Sequence, residues 1–135
     1  MKKIISTVIV GIMLLVFGIT VYAEVMPFVL GSSTRESILM INGNTATCTS
    51  KYSASDDAVS EIIITQSLER HLYLWVWETV GGEWSTSSDG SSISFTNTVS
   101  GLSSGTYRVK TVFDATGTNG EKESQTLYSA EKKVN

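Results

Sequence analysis

The sequence predicts an all-β fold, a single antiparallel β-sandwich of about seven short strands. Three observations support this prediction. Short runs rich in Val, Ile, Thr and aromatic residues recur along the chain. Turn signals such as Asn42-Gly43, Gly81-Gly82 and Asn119-Gly120 separate those runs. Beyond the apolar N-terminus, no segment shows the spacing of apolar residues that is typical of a helix.

The N-terminus has the pattern of a secretory signal peptide, which would form a hydrophobic helix. Lys2 and Lys3 precede a nearly continuous apolar run over 4–21. Small or aliphatic residues follow, so we expect cleavage between Ala23 and Glu24. The alternative is an uncleaved membrane anchor, because the apolar run is about long enough to span a bilayer.

This interpretation divides the chain into a signal peptide (1–23), a flexible lead-in (24–36) and a β-sandwich domain (37–134). We therefore expect a secreted, extracellular protein or, alternatively, one anchored by its N-terminal segment. The full chain has a formal net charge of −3, and loss of the two N-terminal lysines would make it more acidic. Because an acidic domain without a basic stripe binds nucleic acid poorly, we expect no nucleic-acid partner, and membrane contact only through an uncleaved signal segment.

The most apolar run outside the N-terminus is 72–80, which carries two of the three Trp residues. We interpret it as the central strand of the sandwich, ended by Gly81-Gly82. Alternation places Tyr73, Trp75 and Trp77 on one face and aliphatic side chains on the other. Since both faces are mostly apolar, we expect one to be core and the other to be covered by a loop or exposed as a binding face.

The other strands follow from the same patterns. We expect them over 37–41, 44–52, 61–70, 92–99, 106–115 and 123–134, with polar loops over 53–60 and 85–92. The alternation over 92–99 indicates a half-buried strand. In the strand over 106–115, Tyr107 and Phe113 share a face that we expect to be buried. The polar, charged strand over 123–134 suits an edge of a sheet.

A local motif refines the fold class. The segment 102–109 (LSSGTYRV) is similar to the tyrosine corner of immunoglobulin-like and fibronectin-III-like sandwiches, in which a Tyr, here Tyr107, turns its hydroxyl back to the chain. Antibody domains place one half of a disulfide in the second strand, where Cys48 lies, and the other two residues past this Tyr, where Val109 stands. We therefore expect an immunoglobulin-like or fibronectin-III-like sandwich that is not of the antibody type.

Several sequence features occur together in this chain. They are Cys48 on a Thr-rich segment, Ile62–Thr65 leading to Leu68, Trp77–Val80 with Trp84, Gly105–Lys110, and Gly120–Glu123. Together they resemble a group of small exported Gram-positive bacterial proteins of unknown function. The resemblance covers about Ser37–Val134 and departs at Arg70–Tyr73, where a Lys/Ser/Gly-rich turn is expected. It implies export and a β-sandwich, and it implies no activity.

The residues that carry chemistry are few. Cys48 is the only cysteine and shares a strand face with Ala46, so we expect a buried free thiol, with an intermolecular disulfide as the alternative. His71 is the only histidine, and no motif brings a nucleophilic Ser to it. Asp56-Asp57 and Asp89-Gly90 do not follow the pattern of a calcium loop. We therefore predict no metal, no cofactor and no enzymatic activity.

The candidate ligand-binding residues are aromatic: Tyr73, Trp75, Trp77 and Trp84. Exposed rings on a sandwich can stack on sugars or anchor a protein interface, whereas buried rings, expected for one of Trp75 and Trp77, belong to the core. Trp84 follows Gly81-Gly82 and is our best candidate for an exposed ring. We expect a non-catalytic binding module for an extracellular protein or glycan. The alternative is a structural or self-assembling extracellular protein.

Overall fold

The computed structural model describes residues 33–54 and 58–135. Within these ranges all regular structure is β-strand, arranged in two antiparallel sheets. The strands are β1 (Ser33–Asn42), β2 (Thr45–Ala54), β3 (Val59–Tyr73), β4 (Val76–Ser88), β5 (Ser92–Val99), β6 (Gly105–Gly117), β7 (Lys122–Tyr128) and β8 (Lys132–Val134). The predicted all-β sandwich architecture is thus confirmed.

Three expectations lie wholly or largely outside the described residues. They are the signal peptide with its cleavage site at Ala23 and Glu24, the lead-in over 24–36 as far as residue 32, and the acidic pair Asp56-Asp57. Among the residues that are described, no helix is long and apolar enough to cross a membrane.

The two sheets differ in size. One has the order β1-β2-β5, and the other has the order β4-β3-β6-β7, with the short β8 also paired to β6. Every pairing is antiparallel. The long strands β3 and β6 therefore form the centre of the second sheet, and β4 lies at its edge.

The prediction of a single central strand over 72–80 is wrong. β3 ends at Tyr73, Leu74 and Trp75 form a two-residue turn, and β4 begins at Val76 and runs back along β3. The reversal joins two strands that pair continuously except at two irregularities, from Ile62 with Ser88 to Tyr73 with Val76. Backbone pairing of this length outweighs the poor turn preference of a Leu-Trp dipeptide.

Several strand boundaries also differ from expectation. β4 continues to Ser88, so the first half of the predicted loop over 85–92 is strand. β1 begins at Ser33 rather than Ser37, because its pairing with β2 extends to Ala54. The segment 123–134 is two strands rather than one, since residues 129–131 leave the ladder and the backbone N–H of Val109 donates to the Ser129 hydroxyl at 2.8 Å.

Other local predictions are confirmed or nearly so. β5 spans Ser92–Val99 with the expected alternation of half-buried and exposed residues. The first hairpin turn is Gly43-Asn44, one residue later than expected, and Gly43 takes a φ of 61° at the first loop position, which is typical of a type II′ turn. Tyr107 is buried, and its hydroxyl donates to the Ser103 carbonyl at 2.7 Å, as a tyrosine corner requires.

The core consists of two apolar clusters between the sheets, separated by a polar layer. One cluster surrounds Tyr52 and Phe113, and the other surrounds Leu68 and Tyr107 and includes Cys48. Between them lies a polar belt made of Ser37, Ser50, Gln66, Asn97 and Thr111. The belt occupies the middle of the strands because each of its central residues stands between two buried apolar residues of the same face.

Gln66 is the centre of the polar belt. Its side-chain amide donates to the Ser50 hydroxyl at 2.7 Å, and its carbonyl oxygen accepts from the Asn97 amide at 2.9 Å. Ser50 and Thr111 are joined at 2.8 Å. These bonds satisfy polar groups that would otherwise be buried without partners, and they link strands of both sheets.

Candidate functional site

The turn between β3 and β4 exposes four consecutive apolar or aromatic side chains, Leu72–Trp75, which we call the hairpin tip. The exposed fractions rise along the tip, from 45% and 62% for Leu72 and Tyr73 to 73% and 82% for Leu74 and Trp75. A monomeric domain gains nothing from exposing so many large apolar side chains together. The hairpin tip is therefore the best candidate for a contact surface.

The hairpin tip extends past its neighbouring strand. The last pairing between β3 and β6 joins Arg70 to Tyr107, and beyond it the chain pairs only with β4. The tip consequently leaves the sandwich at one end, where its side chains have no second sheet to cover them.

The turn itself is strained. Leu74 has a φ of 49°, the only positive φ among the described non-glycine residues. A β-carbon in this left-handed region costs about 1–2 kcal/mol, and the exposed side chain of Leu74 recovers little of that cost by packing. Glycine at this place would serve the fold better, so the leucine is not explained by folding stability.

The side chain of His71 supports the turn through a hydrogen bond. His71 Nε2 lies 2.6 Å from the carbonyl oxygen of Leu74. Since a carbonyl oxygen only accepts hydrogen bonds, Nε2 carries the proton and donates it. The His71 ring also packs on the Trp77 ring, with centroids 4.9 Å apart. His71 thus has a structural role, because its ring packs on Trp77 and its Nε2 hydrogen-bonds the turn.

A stack of rings and one cation brace the base of the hairpin. This aromatic ladder consists of His71, Trp77, Arg108 and Tyr128, which lie on β3, β4, β6 and β7. The Arg108 guanidinium carbon lies 4.0 Å from the centroids of both the Trp77 and the Tyr128 rings. Cation–π attraction on both faces fixes the arginine and ties the hairpin to the rest of the sheet.

The charged groups beside the hairpin tip are paired. Arg108 Nε donates to Glu69 at 2.8 Å, and an Arg70 guanidinium nitrogen lies 3.8 Å from a Glu78 carboxylate oxygen. The segment 72–77 contains no charged side chain. The tip is therefore apolar at its end and close to electrically neutral at its base.

The four aromatic residues predicted to bind a ligand are separated by the structure. Tyr73 and Trp75 lie in the tip, and Trp77 lies in the aromatic ladder. Trp84 is half-buried rather than exposed, and its ring lies so close to Gly81 that a β-carbon at that glycine would be 4.0 Å from it. The expectation that Trp84 carries the exposed ring is wrong, because β4 bends at Gly81-Gly82 and returns Trp84 to the sheet opposite Gln66.

Sequence reasoning missed the role of Leu72 and Leu74. Alternation within a single strand placed them together on the aliphatic face and did not mark them as contact residues, whereas the turn exposes both. A reversal without Gly, Pro, Asn or Asp leaves no local signal. The one available hint was that both faces of the run 72–80 were apolar, which a single strand could not bury easily.

Neither the thiol of Cys48 nor a group of metal-ligating side chains adds a second candidate site. Cys48 is a fully buried free thiol, and burial raises its pKa to about 11. A protonated, inaccessible thiol is a poor nucleophile and cannot form an intermolecular disulfide while the domain is folded. Within residues 33–54 and 58–135, no three His, Cys, Asp or Glu residues are grouped to hold a metal ion.

No family model matches the chain, and no curated protein matches it. Among solved structures it is similar to wild-type OgpA from Akkermansia muciniphila, at 14% identity and a TM-score of 0.40 over 77% of this chain. A structure of catalytically inactive OgpA in complex with an O-glycopeptide substrate has a TM-score of 0.39 at 14% identity over 73% of this chain. The chain spans 30% and 28% of the length of OgpA in those two structures.

Proposed function

We propose that this chain is a secreted, non-catalytic interaction module that binds an extracellular partner through its hairpin tip. The observation that carries the proposal is the exposure of Leu72–Trp75, which the strained φ of Leu74 maintains at a cost in stability. The aromatic ladder and the support from His71 hold the tip in one orientation. A rigid apolar projection of this kind loses little conformational entropy when it binds.

The same proposal includes the type of sandwich and the location. We infer a fibronectin-III-like rather than an antibody-like domain, because β4 pairs with β3, whereas the fourth strand of antibody constant domains joins the sheet of the first, second and fifth strands. The tyrosine corner at Tyr107 supports the wider class of immunoglobulin-like and fibronectin-III-like sandwiches. Export is inferred from the basic and apolar pattern of residues 1–23.

The test compares a triple variant of the tip with a double variant elsewhere that uses the same kind of substitution. The tip variant carries Leu72→Ser, Leu74→Ser and Trp75→Ser. Its matched control carries Ile38→Ser and Met40→Ser, which replace exposed apolar residues on β1. Because all five side chains are solvent-exposed, both variants should unfold within about 0.5 kcal/mol of the wild type or become slightly more stable.

Binding is measured on a glycan array, on immobilised mucin and extracellular matrix proteins, and on phosphatidylcholine vesicles. We expect the wild type and the control to bind at least one of these probes, and the tip variant to bind it at least tenfold more weakly. Equal binding by the tip variant and the wild type contradicts the proposal.

A second candidate function is self-assembly through a sheet edge. The observation that favours it is on β1, an edge strand that exposes Ile38 (37%) and Met40 (66%). Burial of Cys48 removes disulfide pairing from this mechanism, so assembly would depend on strand pairing. Size-exclusion chromatography of the wild type and of the Ile38→Ser, Met40→Ser variant tests it: a monomeric wild type excludes self-assembly.

A further inference from the structure

Resting on the proposed function, we propose that the partner of the hairpin tip is a lipid bilayer, and that Leu72–Trp75 insert into the interfacial region of a zwitterionic membrane. The first reason is the chemistry of the side chains. Leu72 and Leu74 are purely aliphatic, and Tyr73 and Trp75 are the two residue types that favour the boundary between headgroups and hydrocarbon. All four are exposed and adjacent.

The second reason is that the outermost backbone carbonyl of the tip is hydrogen-bonded within the chain. Chain that enters hydrocarbon must not bring unpaired N–H or C=O groups with it. Tyr73 pairs with Val76 across the turn, and the Leu74 carbonyl, at the outermost part of the turn, accepts the Nε2–H of His71 at 2.6 Å. A turn in water has no need of this bond, because solvent would satisfy the carbonyl.

The third reason is the charge around the tip, which also indicates the class of lipid. Arg70 is paired with Glu78, and Arg108 is paired with Glu69. The exposed lysines at this end of the sheet, Lys132 and Lys133 on β8, lie across β6 from β3, so the tip itself carries no basic group that would attract anionic headgroups. Apolar insertion into neutral lipid therefore fits the site better than electrostatic adsorption to an anionic surface.

Glycan and protein partners fit the tip less well. A sugar site needs several converging hydrogen-bonding groups beside its aromatic ring, and in Leu72–Trp75 the only polar side-chain groups are the Tyr73 hydroxyl and the Trp75 indole N–H. A stable protein interface buries about 800 Å² on each partner, which is more than four residues at the end of a hairpin present. Small apolar projections suffice for a bilayer because the hydrocarbon accepts them without a complementary shape.

The experiment uses the full chain and phosphatidylcholine vesicles that contain brominated lipid, which quenches Trp fluorescence only at short range. Residues 1–32 are the same in every variant, so any binding that they contribute is constant. Trp75→Phe keeps an apolar ring and removes the reporter. Leu74→Ser weakens insertion, and Met40→Ser is the control at an exposed site on β1.

We expect bromolipid to quench part of the wild-type emission, and this part to be lost in Trp75→Phe. Quenching should fall at least twofold in Leu74→Ser and remain unchanged in Met40→Ser. Vesicles that also contain phosphatidylserine should give the same quenching as phosphatidylcholine alone. These results together support insertion of the tip.

Equal quenching of the wild type and Trp75→Phe, or quenching only with phosphatidylserine present, overturns the proposal. If Trp75 is unquenched while the triple-serine tip variant loses binding to mucin, a matrix protein or a glycan, the lipid proposal fails and the interaction module stands. If the tip variant loses nothing on any probe, both proposals fail.

Discussion

Replacing Arg108 by Lys should weaken the aromatic ladder while keeping its charge. The guanidinium carbon lies 4.0 Å from the centroids of the Trp77 and Tyr128 rings, and Nε donates to Glu69 at 2.8 Å. An ammonium group cannot lie flat between two rings, so the stacked contacts with both rings are lost. At about 0.5–1 kcal/mol for each contact at a partly exposed site, Arg108→Lys should lower the free energy of unfolding by about 1–2 kcal/mol.

Urea unfolding followed by circular dichroism measures this loss. The matched control is Arg70→Lys, the same substitution on the neighbouring strand. Arg70 and Glu78 are 3.8 Å apart with side chains 35% and 45% exposed, so the control should change stability by less than about 0.5 kcal/mol. In a domain of this size, a loss of 1–2 kcal/mol lowers the thermal midpoint by roughly 5–15 °C.

A double-mutant cycle shows whether the ring contact is the cause. Trp77→Leu removes one ring, and Arg108→Lys should cost less in that background than in the wild type, by about 0.5–1 kcal/mol. If Arg108→Lys and Arg70→Lys have the same effect, or if the cycle shows no coupling, the aromatic ladder does not stabilise the hairpin.

Three further predictions address the core and the turn. Gln66→Leu should lower the free energy of unfolding, measured in urea, by about 1–3 kcal/mol, because Ser50 and Asn97 lose a buried hydrogen-bond partner. Equal stability of the variant and the wild type would show that the polar belt is dispensable. Leu74→Gly should raise the thermal midpoint by relieving the φ of 49°, with a gain of about 1 kcal/mol, and an unchanged midpoint would mean the turn is not strained. Since burial raises the pKa of the Cys48 thiol from 9.0 to about 11, the folded state keeps this proton over a range in which the unfolded state loses it. The protonated thiol therefore stabilises the fold below pH 9, and its contribution to the free energy of unfolding falls between pH 9 and 11. Urea unfolding at pH 8 and at pH 10.5 should show this decrease in the wild type and not in Cys48→Ala.

The pattern of burial within regular strands could be predicted from the sequence alone. β5 and β6 show the expected alternation, and the side chains of Tyr107, Val109 and Phe113 enter the core together. A period of two follows directly from strand geometry, so it needs no knowledge of the neighbouring strands. The tyrosine corner was also predictable without knowledge of the neighbouring strands, because the hydrogen-bond donor and acceptor, Tyr107 and Ser103, are close in sequence.

The polar belt could not be predicted, since it depends on which strands lie opposite one another. Ser50 and Thr111 are 61 positions apart in the chain, yet their hydroxyls lie 2.8 Å apart. Gln66 alone, within an apolar strand, gives no indication of a partner. Only the packing of the two sheets brings these residues together, because a buried polar group is stable only when its partners are present.

The hairpin tip shows most clearly the difference between what the sequence determines and what only the tertiary structure decides. The composition of 72–80 already determined that this run is apolar and aromatic, and therefore important for either the core or a contact. The tertiary structure alone decided which, by turning the chain at Leu74-Trp75 and exposing the side chains there. The turn contains no residue that favours reversal, and it forms because the long pairing of β3 with β4 outweighs the strain of one leucine at positive φ.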